Sequence, residues 1–150
     1  MATKETVKNF LSQKHIAVAG VSRSGNAFGN NIYKELKQKD YVLYQVNPNA
    51  DEINGDKCYR KISELPDEVT GIVISVKPEE SLSVVREAFS KGIKNIWMLF
   101  GVESKEAVEF CEANNINYIS NQCILMYAEP VATFHKFHGF FWKLLGKYAK

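Results

Sequence analysis

The stretch 17–36, AVAGVSRSGNAFGNNIYKEL, passes from an apolar run through three glycines into a helical pattern. Glycine-rich turns at such junctions bring backbone N–H groups against phosphate. Gly20 and Gly25 have the spacing of the P-loop, GxxxxGK[ST], but Asn26 and Ala27 stand where that motif needs a lysine and a hydroxyl. The charge for the terminal phosphates and the ligand for magnesium are both missing, which disfavours ATP or GTP hydrolysis. Against the dinucleotide pattern GxGxxG, a start at Gly20 puts Ser22 in the second glycine's place, and a start at Gly25 puts Ala27 there. The strand candidate YVLYQV ends in Asn47 and Pro48, neither of which offers the carboxylate that bonds the ribose in NAD-type sites. A small NAD(H)-binding protein, a sensor or an oxidoreductase, with Asn47 bonding the ribose, is therefore the alternative.

A third reading uses only the position. A loop that leaves a strand's carboxyl end and enters a helix near Phe28 or Gly29 presents N–H groups and the positive end of the helix dipole to an anion. Ser22, Ser24 and Asn26 add neutral donors, and Arg23 adds a guanidinium suited to bidentate contact with phosphate. A pyrophosphate with a further phosphate nearby suits such a loop. The competing explanation is a tight turn with a solvated Arg23.

Catalytic groups are harder to nominate. Of the three histidines, His15 opens the first strand, and His135 and His138 lie in the tail without a Glu or Cys to complete a metal set. Ser22 follows Gly20 at the right distance for a nucleophile elbow but lacks the glycine two residues later. No acid/base pair stands out, so the expectation is binding rather than catalysis.

The elements that must hold this loop are legible in the pattern. Short apolar runs at 15–19, 41–46, 71–76, 95–99 and 117–119 alternate with amphipathic segments, which predicts a parallel sheet with crossover helices. Ile32 and Leu36, with Tyr33, mark one helical face; Leu82, Val85 and Phe89 mark another. Gly92 sits at a helix stop and Ser104 at a helix start. The segment NPNADEINGDKCYRKISELPDE reads as irregular chain over the surface.

At 150 residues the chain is expected to form one domain. Nineteen basic residues against 17 acidic ones, interspersed along the sequence, imply no field for nucleic acid. Three widely spaced cysteines without a CxxC pair point to reduced thiols in a cytoplasm, and no run is long enough for a transmembrane segment. The tail VATFHKFHGFFWKLLGKYAK, if helical, lines up Phe134, Phe137, Phe141, Leu145 and Tyr148, a stripe for the sheet, a second copy or a protein partner.

Taken together, IAVAGVSRSG, VNPNADEINGDKCY, VISVKPEE, GIKNIWMLFGVES and NQC resemble the small bacterial CoA-binding proteins of the Rossmann type, over about residues 14–127. That family is similar to the CoA-binding domain of the succinyl-CoA synthetase alpha subunit. The resemblance implies an α/β fold, a doubly wound, mostly parallel five-stranded sheet with helices on both faces, followed by the aromatic tail from about 128 to 150. It implies coenzyme A or an acyl-CoA as the ligand. Gly20, Val21, Ser22, Arg23 and Ser24 would meet the diphosphate beside Phe28. Asn47 and Pro48 would border the adenosine, and Val76, Lys77 and Pro78 would wall its other side. Lys77 has a plain alternative as a solvated lysine, and Pro78, Glu79 and Glu80 are also good helix-start chemistry. Cys123 falls where the family carries a cysteine, but Gln122 precedes it and no Pro-Gly follows, so a buried, inert thiol competes with any role near the CoA thiol.

Overall fold

The structure is a computed structural model that describes residues 2–128; the expected tail helix at 131–150 lies outside the described residues. In chain order the elements are α1 (Lys4–Leu11), β1 (His15–Ala19), α2 (Phe28–Lys37), β2 (Val42–Val46), β3 (Glu52–Ile53), β4 (Asp56–Tyr59), β5 (Gly71–Ile74), α3 (Pro78–Lys91), β6 (Asn95–Met98), α4 (Lys105–Ala113) and β7 (Asn117–Ile119). The strands form one sheet in the order β3-β4-β2-β1-β5-β6-β7. All pairings are parallel except that of β3 with β4.

β1 lies at the centre, and Ile16, Ala17, Val18 and Ala19 are all buried, as a strand covered on both faces requires. From β1 the chain moves to one side to make β2, then crosses to β5 on the other side. Right-handed crossovers then put α2 on one face and α3 and α4 on the opposite one. Phe10 of α1 meets the Trp97 ring edge-on at 5.3 Å, which closes the far end of the core.

Helix ends follow the expected chemistry. Gly92 takes the left-handed conformation (φ 95°) that terminates α3, and Ser104 Oγ accepts from the Ala107 N–H at 3.1 Å to open α4. The polar N-terminus folds as α1 because Thr3 caps it and Val7, Phe10 and Leu11, at i, i+3 and i+4, form an apolar side of which Val7 and Phe10 are buried.

Two expectations need correction. The sheet has seven strands rather than five, and the segment taken for irregular surface chain holds the additional pair. Asn54 (φ 53°) and Gly55 (φ 84°) are both left-handed, which makes them the two-residue turn of a tight hairpin between β3 and β4. Ala50, Ile53, Cys58, Ile62 and Leu65 from this segment are buried, so it supplies core as well as connection.

The hairpin is fastened to α2 by Asp56, whose Oδ2 accepts from Tyr33 Oη at 3.0 Å and from Lys37 Nζ at 2.6 Å. The Lys37 hydrogen bond, opposed by partial burial and aided by Tyr33, holds the Asp56 carboxyl below its ordinary value of 3.8. A carboxylate lowered on folding contributes stability that is complete above the unfolded value and lost as pH falls through the folded one. In paired acid titrations, the stability advantage of the native protein over Asp56→Asn should be present at neutral pH and shrink as pH drops below 3.8. A difference that is independent of pH would contradict the fastening role.

Candidate phosphate-binding site

Gly20 leaves β1 with φ +108°, and a Cβ placed on it would lie 1.9 Å from the Ser75 carbonyl oxygen at the end of β5. A Cβ on Gly29 would lie 2.6 Å from the Gly20 carbonyl oxygen. Backbone thus packs on backbone where β1, β5 and the first turn of α2 converge, which only glycine permits. In the sequence Gly29 shows only as a helix start, although its requirement for glycine is as strict as that of Gly20.

Asn30, one residue on, was not anticipated as part of the site. Its side chain is buried, and its Oδ1 accepts from the Ser22 N–H at 2.8 Å and the Ala27 N–H at 3.2 Å, while Nδ2 donates to the Ser22 carbonyl at 3.1 Å. An amide at the third helical position is the available sequence signal, since that position reaches back to the N-cap N–H in capping boxes. The loop is therefore partly self-satisfied. Ser22 Oγ and Ser24 Oγ lie 2.9 Å apart, the Gly25 N–H donates to the Ser22 carbonyl at 3.2 Å, and the Asn26 N–H faces Ser24 Oγ at 3.4 Å. Free N–H groups at Ser22 and Asn26 are accordingly not what the loop presents. Among the described residues the N–H groups of Arg23 and Ser24 have no acceptor and those of Phe28 and Gly29, in the first helical turn, have no intrahelical one, which leaves them for an anion. The Arg23 guanidinium is exposed and makes no ion pair or hydrogen bond among the described residues.

The second loop braces the first. Asn47 Nδ2 donates to the Val21 carbonyl at 2.8 Å, and its Oδ1 accepts from the Asn49 N–H at 2.8 Å. The Asn47 amide is thus engaged within the protein. Pro48 follows, exposed, with its carbonyl 3.5 Å from Arg60, which pairs with Asp51.

In the third loop, after β5, Val76 is half-buried and Lys77 is exposed with its ammonium unpaired among the described residues. Lys77 is the N-cap of α3, its N–H donates to Glu80 Oε2 at 3.3 Å, and Pro78 occupies the first helical position. The helix-start role of this motif is present, and it leaves the Lys77 ammonium unused. Because β2, β1 and β5 are neighbours, these three loops share one edge of the sheet at the point where strand order reverses, the usual ligand crevice of open α/β sheets. Phe28, 51% exposed, stands beside them at the start of α2.

Burial pushes the Cys111 thiol up to about 12 and raises Cys58 and Cys123 above 9.0, so all three are protonated at neutral pH.

Residues 14–129 match the family of CoA-binding domains. The chain belongs to that family. Over 109 residues this CoA-binding domain is 36% identical to an ADP-forming acetate-CoA ligase II of Archaeoglobus fulgidus, a match covering 69% of this chain and 16% of the ligase. Over 126 residues it is 29% identical to the alpha subunit of ADP-forming acetate-CoA ligase II of Pyrococcus furiosus, covering 77% of this chain and 28% of the subunit. It therefore spans less than a third of the length of these curated relatives. Among solved structures, a conserved hypothetical protein of Pyrococcus furiosus shares 41% identity at a TM-score of 0.70, covering 74% of this chain and 96% of that one. A hypothetical protein of Pyrococcus horikoshii shares 28% identity at a TM-score of 0.79, covering 86% of this chain and 92% of that one.

The CoA-binding domain's loop geometry makes two predictions. Gly20→Ala should cost about 2–5 kcal/mol, combining backbone overlap with the left-handed penalty, whereas Gly92→Ala, where a Cβ meets nothing within 4 Å, should cost only about 1–2 kcal/mol. Equal losses in chemical denaturation would refute the close-packing argument. Asn30→Ala should cost about 1–3 kcal/mol and sharply raise amide exchange at Ser22; unchanged protection at Ser22 would show that Asn30 does not pin the loop.

Proposed function

We propose that this chain binds coenzyme A or an acyl-CoA across the carboxyl edge of its sheet, as a non-catalytic or regulatory binding protein of the cytoplasm. The observation that carries this reading is the pair of exposed cations, Arg23 and Lys77, on neighbouring loops at the strand-order reversal, with no side-chain partner among the described residues. The diphosphate sits over residues 20–24 beside Phe28, taking the N–H groups of Arg23 and Ser24, the first turn of α2 and the Arg23 guanidinium. The adenosine lies between Asn47 and Pro48 on one side and Val76, Lys77 and Pro78 on the other, with Lys77 within reach of the 3′-phosphate. Asn47 acts here through the loop that it braces. Membership of the CoA-binding domain family, and the likeness to ligases whose names include CoA, support the choice of ligand. The protonated state of Cys58, Cys111 and Cys123 supports a role without a thiolate nucleophile. No helix of the described residues is long and apolar enough to cross a membrane.

Calorimetric titration with CoA, dephospho-CoA and NAD at one salt concentration tests the reading. CoA should bind, dephospho-CoA should bind at least about tenfold more weakly, and Arg23→Ala should weaken CoA by roughly 1.5–3 kcal/mol. Binding of NAD without CoA, or an unchanged affinity in Arg23→Ala, would overturn it.

A further inference from the structure

Between α2 and the β3–β4 hairpin lies a groove of about 590 Å³, within the size range of small-ligand pockets. Ala27, Asn31 and Lys34 line it from the helix, Asn54 from the hairpin turn, and Gln45 from β2. Gln45 is 2% exposed. Its Nε2 donates to the carbonyls of Ile53 at 3.1 Å and Asp56 at 3.0 Å, so the amide orientation is fixed. Its Oε1 accepts no hydrogen bond among the described residues. A buried amide oxygen without a donor is costly, and a donor brought by a ligand removes that cost.

The groove supplies matching chemistry around this acceptor. Tyr33, half-buried in the wall, has its ring anchored by the bond from Oη to Asp56, with Lys37 Nζ 5.8 Å from its centroid, and a base would stack on the face that Lys37 leaves. Lys34 has no ion pair among the described residues, and the positive end of the α2 dipole lies toward Ala27. An acceptor for an N–H, an aromatic ring and a cation together select a heteroaromatic base bearing both an amino group and a phosphate.

We propose that the groove between α2 and the β3–β4 hairpin binds an amino-bearing purine nucleotide, its amino group on Gln45 Oε1 and its phosphate toward Lys34. The occupant is a free mononucleotide: the CoA reading above already places the adenosine of CoA between the loops after β2 and β5, whose residues do not line this groove, so the inference does not rest on that reading. The groove also has a path to the phosphate loop, because Asn54 Nδ2 lies 3.1 Å from the Cβ position of Gly25. An occupant that shifts the hairpin turn therefore shifts the loop.

The test is amide NMR of the ¹⁵N-labelled full chain with AMP, CoA, phosphopantetheine and inorganic phosphate as probes. AMP should shift the amides of residues 27–34 and 53–57 saturably, phosphate alone should not, and Lys34→Ala should raise the half-saturating concentration roughly tenfold. Gln45→Met addresses the acceptor but also cuts the hairpin ties, so the surface variant Lys34→Ala decides. AMP shifts that persist under saturating CoA assign a free mononucleotide. Displacement of AMP by CoA and not by phosphopantetheine would put the adenine of CoA in the groove and overturn the assignment to a free mononucleotide. Groove amides silent to AMP, the same shifts with phosphate alone, or equal affinity in Lys34→Ala would overturn the proposal. CoA shifts at residues 20–25 with a groove silent to AMP would sink this inference and leave the CoA reading standing; groove shifts with AMP and no CoA binding would do the reverse.

Discussion

The contact on which the site depends is the stacking of three backbone segments at Gly20. On one side lies the Ser75 carbonyl oxygen, 1.9 Å from where a Cβ would be, and the Gly20 carbonyl lies 2.6 Å from the Cβ position of Gly29. Because no side chain fits at either glycine, the end of β1, the end of β5 and the start of α2 come closer than ordinary packing allows. This closeness aims the first turn of α2 over the carboxyl edge of the sheet. It also fixes which N–H groups face outward, and so where charge can be met.

The loop spends its polar groups unevenly. Asn30 and Asn47 consume carbonyls and N–H groups of Val21, Ser22 and Ala27, which holds the loop in one shape. Arg23, Lys77 and the helix start are left over. A site built this way needs little reorganisation to receive an anion, since the ordering has been done by amides rather than by the ligand. The same brace from Asn47 ties the β2 loop to the phosphate loop, and Asn54 lays the hairpin turn over Gly25, so the outer edge of the sheet and the loop behave as one assembly.

Much of this was legible in the sequence, for identifiable reasons. The five core strands carry continuous apolar runs, and Gly92 and Ser104 give unambiguous helix ends, because burial and capping act locally. The hairpin was missed because β3 and β4 are too short to show alternation, although Asn54-Gly55 is itself a turn signal. Helix α1 is signalled only by one short apolar set, Val7, Phe10 and Leu11, in an otherwise polar stretch, and the ring that Phe10 meets, Trp97, is distant in the sequence. The roles of Asn30 and Gly29 were hidden for a related reason: both depend on what the fold brings to them, Ser22 for one and the Gly20 carbonyl for the other. Residue types named the loop's chemistry; only the packed structure says which donors remain.

The measurement that bears most directly on this account is a crystal structure of the protein grown with CoA. The account predicts the diphosphate over residues 20–24, within hydrogen-bond distance of the Arg23 side chain and the N–H groups at the start of α2, with Lys77 at the 3′-phosphate. CoA bound elsewhere, with Arg23 and Lys77 both in solvent, would contradict it.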